Sequence, residues 1–79
     1  MSGYRYRYSL AGQRWERHPW FNDGRWWSPR GYEAFRVVEK GTPYRIVLNR
    51  IDGNVYLGRY ETLQQAFDYA DRDYARRVD

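Results

Sequence analysis

The apolar positions in the last third of the chain recur at helical spacing. They fall at i, i+3, i+4, i+7 and i+11 and are Leu63, Ala66, Phe67, Ala70 and Tyr74. Residues at these spacings share one face of an α-helix, so the pattern predicts an amphipathic helix over residues 62–77. Thr62 and Gln65 stand at the spacing of a capping box, in which each side chain binds the other residue's backbone N–H.

Upstream of this helix, apolar and β-branched residues form short runs that are bounded by turn residues. Residues 32–39, 44–50 and 54–60 have the length and composition of strands. Lys40-Gly41-Thr42-Pro43 predicts a turn between the first two strands. Asp52-Gly53 predicts a type I′ turn between the last two, because such a turn needs positive φ at both central residues. The three strands are therefore expected to form an antiparallel meander.

The first third of the chain alternates strictly at its start and is irregular towards its end. Tyrosine and arginine alternate in Tyr4–Tyr8, which favours an amphipathic strand with inward tyrosines and solvated arginines. Residues 13–18 predict a second strand, and Asn22-Asp23-Gly24 predicts a turn. Trp26 and Trp27 are adjacent, so on a strand they point to opposite faces. In a sheet that is covered on one side, at least one of these rings is expected to be exposed or covered by a loop.

Together these patterns predict an α+β fold in a single domain of residues 1–79. The expected architecture is an antiparallel meander of three to five strands with one C-terminal helix packed on one face. Its parts are a basic, Trp-rich N-terminal part over 1–31, the three-stranded meander over 32–60 and the helix over 62–77. A chain this short buries a modest core, so some of its aromatic residues must belong to that core.

The positive charge is concentrated in the N-terminal part of the chain. The sequence has 14 Lys or Arg against 10 Asp or Glu, a net charge of +4, and the whole excess falls within residues 1–32. Apart from Lys40, every basic residue is an arginine. Guanidinium groups bind phosphate or carboxylate through paired hydrogen bonds, and aromatic faces stack on bases. The N-terminal part is therefore expected to be a recognition surface.

The candidate contact residues are the arginines of this part, its two adjacent tryptophans and one arginine of the meander. They are Arg5, Arg7, Arg14, Arg17, Arg25, Trp26, Trp27, Arg30 and Arg45. Such a set suits DNA or RNA, since arginines bind phosphates. It also suits a protein partner, because tryptophan and arginine are enriched at the centres of protein interfaces.

The composition argues against catalysis. The chain has no cysteine, and its only histidine, His18, cannot form a histidine cluster for a metal. It has neither a phosphate-binding loop nor a serine-nucleophile motif. We therefore predict that the protein is not an enzyme and uses no cofactor or metal. Because it has no apolar run of membrane-spanning length and no signal-peptide pattern, it is expected in the cytoplasm, away from membranes.

The junction of the last strand and the helix resembles a known DNA-binding family. Residues 56–66, Tyr-Leu-Gly-Arg-Tyr-Glu-Thr-Leu-Gln-Gln-Ala, are similar to the end of an AP2-like domain, where an aromatic-Leu-Gly-x-aromatic-acidic-Thr pattern leads into a helix. The resemblance extends over about residues 44–71. It implies a three-stranded antiparallel sheet on one helix, with arginine and tryptophan on the opposite sheet face contacting the major groove of DNA.

Two functions of different classes follow from these patterns. By size and composition alone, the chain is similar to the small phage inhibitors known as anti-CRISPR proteins. It would then be an inhibitor or adaptor that docks on a host protein complex that handles nucleic acid, and blocks it. The alternative is an AP2-like module that contacts DNA or RNA directly. The inhibitor is slightly favoured, because the 79 residues include no effector domain for a DNA-bound regulator to deliver. The protein is expected to be a monomer or a weak homodimer, formed by edge-to-edge pairing of its first strand.

Overall fold

The structure of the protein is a computed structural model that describes residues 5–20 and 24–78. In these ranges the chain forms a six-stranded antiparallel sheet followed by one helix. The strands lie in the sheet in chain order, and each pairs with the next. The elements are β1 Tyr6–Tyr8, β2 Arg14–Arg17, β3 Trp26–Trp27, β4 Tyr32–Arg36, β5 Tyr44–Arg50, β6 Gly53–Tyr60 and α1 Leu63–Val78.

The predicted α+β meander with one C-terminal helix is confirmed, and the sheet has one strand more than the largest number expected. The additional strand is β3, which has only two residues. Trp26 lies opposite Arg17 of β2 and opposite Ala34 of β4. This short strand therefore joins the N-terminal hairpin to the meander in one continuous sheet.

Most elements begin and end close to their predicted positions. β5 has the predicted bounds, β6 begins one residue earlier, and α1 is shifted by one residue. β4 ends at Arg36 instead of residue 39. The Val37 N–H donates a hydrogen bond to the Pro43 carbonyl at 2.8 Å, and the chain turns between these two residues. Tyr4 of the predicted first strand and Asn22-Asp23 of the predicted turn lie outside the described residues.

The turn between β5 and β6 is not the predicted type I′ turn. Arg50 pairs with Gly53, so the central residues are Ile51 and Asp52, one position earlier than expected. Neither of them has a positive φ, and Gly53 follows with a φ of 129°. A β-branched residue such as Ile51 is strained at positive φ, so the chain places that conformation on the glycine.

The helix begins with the predicted capping box. Thr62 Oγ1 accepts a hydrogen bond from the Gln65 N–H at 3.1 Å, and Gln65 Oε1 accepts one from the Thr62 N–H at 3.2 Å. Each side chain thus binds the other residue's backbone, which stabilises the first turn. Among the described residues, no helix combines the length and the apolar character that crossing a membrane requires.

The core lies between α1 and one face of the sheet, which we call the helix side. Phe67 is at its centre. The Trp15 ring stacks on it with centroids 4.3 Å apart, and the Trp26 ring meets it edge-on at 6.3 Å. Large rings suit a small core, since each buries about 150–250 Å². The other buried apolar residues are Tyr32, Ala34, Ile46, Leu48, Ala66 and Ala70.

Candidate functional site

The two faces of the sheet carry different side chains. Residues that lie opposite each other in neighbouring antiparallel strands share a face, so the register assigns each strand residue to one side. Tyr6, Glu16, Trp27 and Glu33 are opposite one another across β1 to β4. They lie on the face away from α1, which we call the helix-free face.

The tyrosines of β1 point away from the core, contrary to the prediction. Tyr6 and Tyr8 lie on the helix-free face and are 42% and 58% exposed. Arg7 lies on the helix side, where its guanidinium carbon is 5.8 Å from the ring centroid of Trp26 and 5.7 Å from that of Phe67. Large rings from other elements already fill the core here. An arginine can cover their edge while its charged group stays in water.

Trp26 and Trp27 point to opposite sides of β3, as their adjacency predicted. Trp26 is 7% exposed and belongs to the core, so its ring is not accessible to a partner. Trp27 lies on the helix-free face and is partly buried. By contrast, Trp20 in the connection between β2 and β3 is 83% exposed. Trp20 is therefore the tryptophan that the protein presents most fully to solvent.

Arg25, on the helix-free face, is held by a carboxylate. Arg25 Nη1 lies 3.0 Å from Glu33 Oε1, and its guanidinium carbon lies 4.7 Å from the ring centroid of Phe35. Glu33 also accepts a hydrogen bond from the Asn49 side chain at 2.8 Å. The Arg25 side chain is consequently positioned by contacts within the protein, and its charge is compensated.

A second carboxylate, Glu39, binds two more arginines of this face. It pairs with Arg45 and, at 3.0 Å, with Arg59. Arg45 also donates a hydrogen bond to the Thr42 carbonyl, and only 12% of its side chain is exposed. The hydrogen bond from Arg45 is the main cause that holds the pKa of Glu39 below its ordinary value. Arg45 therefore has a partner inside the protein.

Arg14 and Arg30 are engaged mainly by aromatic rings. The guanidinium carbon of Arg30 lies 3.9 Å from the ring centroid of Tyr74, and its Nη1 lies 3.9 Å from Asp71 Oδ1. Arg14 lies 5.0 Å from the ring centroid of Tyr6 on the helix-free face. Exposed cation–π contacts contribute only about 0.5–1 kcal/mol, so these two arginines are held less firmly than those paired with glutamate.

A group of exposed cations has no ion-pair partner within the described parts of the chain. Its members are Arg5, Arg7, Arg14, Arg17, Arg36, Lys40 and Arg72. Arg17 lies opposite the core residue Trp26, and Arg36 lies two residues beyond the core residue Ala34, so both are on the helix side. Arg5 lies beside Arg17, because its carbonyl accepts the Arg17 N–H at 2.9 Å.

Three of these cations, Arg17, Arg36 and Lys40, line an open groove of about 680 Å³. The groove lies between the end of β2 and the segment that joins β4 to β5. Its other lining residues are Gly24, Val37, Val38 and Glu39. The Glu39 carboxylate is already engaged by two arginines, as described above. The groove therefore offers three uncompensated positive charges to an anion.

The structure does not bring the nine predicted contact residues onto one surface. Arg14, Arg25, Trp27 and Arg45 lie on the helix-free face, whereas the helix side carries Arg5, Arg7, Arg17, Trp26 and Arg30. Arg36, Lys40 and Trp20 were not among the contact residues predicted from the sequence. The sequence did contain a signal that places Arg36 on the helix side. Arg36 follows Tyr32 and Ala34 at a spacing of two residues, so on a strand it shares their face.

Comparison with known proteins found no matching family model, no significantly similar curated protein and no significantly similar solved structure. The AP2-like and anti-CRISPR-like resemblances, and the absence of catalysis, therefore stay predictions. Within the residues that the structure describes, no three carboxylate or imidazole side chains meet in the way a metal ion would require. The surfaces themselves are consequently the basis for a proposal about function.

Proposed function

We propose that the protein is a nucleic-acid-binding module whose phosphate contacts are made by Arg17, Arg36 and Lys40. The main support is the division of its cations into two sets. The arginines of the helix-free face are largely paired with glutamates, whereas no ion pair among the described residues involves the cations that line the groove. An unpaired cation can exchange its counterion for a phosphate without first breaking an ion pair.

The positions of the carboxylates also favour the groove over the helix-free face. A phosphate brought to Arg25 would approach Glu33 as well, and like charges at such distances repel. Glu39 lines the groove, but its carboxylate is already engaged by Arg45 and Arg59. The major-groove contact that the AP2-like resemblance implies uses the helix-free face. That contact is for this reason not part of the proposal.

Two further cations extend the positive surface beyond the groove. Arg5 lies beside Arg17, and Arg7 lies on the helix side of the same hairpin. Both side chains are exposed. A polyanion that occupies the groove and continues along the β1–β2 hairpin would meet them next, so the expected footprint is longer than the groove alone.

The proposal is tested by titrating labelled DNA and RNA with the wild-type protein and two charge-matched variants. Arg17→Glu with Arg36→Glu changes the groove. Arg50→Glu with Arg72→Glu makes the same change in net charge at exposed positions outside the groove. We expect the groove variant to bind at least about tenfold more weakly than the control variant, a difference of about 1.4 kcal/mol.

Two results would contradict the proposal. The first is an equal loss of affinity in both variants, which would show that only the net charge matters. The second is absence of wild-type binding at low salt, where phosphate contacts are strongest. Circular dichroism of all three proteins checks that the substitutions leave the fold unchanged.

A second candidate function, an inhibitor or adaptor that docks on a nucleic-acid-handling protein, is favoured by the helix-free face. Tyr8 and Tyr56 are well exposed there, and Arg25 and Arg45 are already held in place by glutamates. Tyrosine and arginine are typical of interface hot spots. Side chains that are fixed before binding lose little conformational freedom when a partner docks.

The two candidates are separated by a binding experiment with nuclease-treated lysate of a host cell. Tyr8→Ala with Tyr56→Ala changes the helix-free face, and the groove variant above serves as its control. Docking through this face predicts that a specific protein is retained by the groove variant and lost by the tyrosine variant. Retention of the same protein by both variants would exclude the helix-free face as the docking surface.

A further inference from the structure

We infer that the nucleic acid which occupies the groove is single-stranded and that Trp20 stacks on one of its bases. This inference rests on the proposed function and adds the class of ligand. Trp20 lies in the connection between β2 and β3, three residues after Arg17, and is 83% exposed. Gly24, at the other end of the same connection, lines the groove.

The fold keeps Trp20 close to the groove. The three residues from Arg17 to Trp20 span at most about 11 Å even when fully extended. The two ends of the connection lie side by side, because the His18 N–H donates a hydrogen bond to the Arg25 carbonyl at 2.8 Å. The Trp20 N–H in turn donates to His18 Nδ1 at 3.3 Å. The Trp20 ring and the Arg17 guanidinium are thus within reach of one short oligonucleotide.

The core does not account for Trp20. Trp15 and Trp26 both pack on Phe67 and are buried, whereas Trp20 makes no ring contact with any described residue. An exposed indole beside a positive groove is the combination by which proteins bind single strands. Cations follow the phosphate backbone, and the ring stacks on a base whatever its sequence.

A duplex fits these surfaces less well than a single strand. Its bases are stacked and paired, so the Trp20 ring could not reach a base face without unstacking it. The helix-free face, which could enter a major groove, has Arg25 and Arg45 bound to glutamates. The accessible ring and the unpaired cations therefore favour an unpaired strand.

The inference is tested with a labelled oligonucleotide of about 10 nucleotides, as a single strand and as a duplex. Trp20→Ala is expected to weaken single-strand binding about 5- to 150-fold and to change duplex binding by less than about twofold. Trp20→Phe is expected to keep most of the affinity, since a phenyl ring also stacks. It should however lose most of the quenching of tryptophan fluorescence on binding. Leu10→Ala, another exposed apolar residue in a turn, is the control and should bind like the wild type.

Failure of the inference and failure of the proposed function give different results. Wild-type affinity of Trp20→Ala for the single strand, or tighter wild-type binding of the duplex, overturns the inference and leaves the groove proposal standing. Absence of wild-type binding to both forms at low salt overturns the proposed function itself.

Discussion

Tyr32 donates its hydroxyl hydrogen to Asp73 Oδ2 across 2.7 Å, in a contact that joins β4 to the last turns of α1. Both groups are buried, and the Asp73 carboxylate also binds Arg76 and Arg77 from the helix itself. The contact is a buried polar link between two residues that are 41 positions apart in the chain.

Removal of the Asp73 carboxylate should destabilise the fold considerably. Asp73→Ala leaves the Tyr32 hydroxyl buried without its acceptor, and we expect a loss of about 2–3 kcal/mol in the free energy of unfolding. Tyr32→Phe removes the donor instead and should cost about 1 kcal/mol. Urea titration measures both. Asp71→Ala, which affects only a long ion pair, is the control and should cost less than about 0.5 kcal/mol.

The same carboxylate should make stability depend on pH. Burial opposes ionisation of Asp73, but hydrogen bonds from Arg77 and Tyr32 outweigh it and hold its pKa below the ordinary 3.8. A carboxyl group whose pKa is lowered by folding stabilises the folded state. This stabilisation is complete at pH values above the ordinary pKa and is lost as the pH falls through the lowered pKa. The difference in unfolding free energy between wild type and Asp73→Asn should therefore become smaller as the pH falls from about 5 to about 2. A constant difference over that interval would contradict the assignment.

The aromatic centre of the core should tolerate little change. Phe67 contacts the rings of Trp15 and Trp26, so Phe67→Ala should cost about 3–5 kcal/mol and Phe67→Leu about 1–2 kcal/mol. Thermal unfolding followed by near-ultraviolet circular dichroism reports both the stability and the loss of ring packing. Val38→Ala, at a fully exposed position, should leave the melting temperature unchanged.

Two glycines with positive φ should respond differently to alanine. Gly12 and Gly58 have φ of 89° and 115°. A Cβ at Gly12 would meet nothing within 4 Å, whereas at Gly58 it would lie 3.3 Å from the Tyr60 hydroxyl, which is bound to the Leu57 carbonyl. Gly12→Ala should cost about 1–2 kcal/mol from backbone strain alone. Gly58→Ala should cost on the order of 1 kcal/mol more in urea titration, and equal losses would contradict the steric contribution.

The meander and the helix could be predicted because their signals are local. The capping box at Thr62, the apolar stripe of α1 and the run that forms β5 are each contained within a few residues. The turn at Ile51 was predicted one position too late, because the Asp52-Gly53 pair suggests a glycine in the turn centre. A β-branched residue such as Ile51 disfavours positive φ, and the positive φ is found at Gly53, which follows the two central residues of the turn.

The surfaces could be predicted only in part, because they depend on which strands meet. Alternation in β1 predicts that its tyrosines and arginines lie on different faces, but it does not tell which face is turned to the core. Arg7 lies on the core side, because rings from β2, β3 and α1 already fill the core. Likewise, the pairing of Arg25 with Glu33 and of Arg59 with Glu39 depends on strand register over separations of 8 and 20 residues. Which arginines are neutralised is therefore a property of the folded sheet and not of local sequence.

The most direct test of the groove is the salt dependence of single-strand binding. Each phosphate that a cation neutralises releases about 0.7 counterions from a single strand. The three groove cations alone therefore predict a slope of about −2 when the logarithm of the affinity is plotted against the logarithm of the salt concentration, and contacts of Arg5 and Arg7 would make it steeper. Arg36→Ala with Lys40→Ala should make the slope less negative by about 1.4, because two phosphate contacts are lost. An affinity that does not change with salt, or the same slope in the variant and the wild type, would contradict the account.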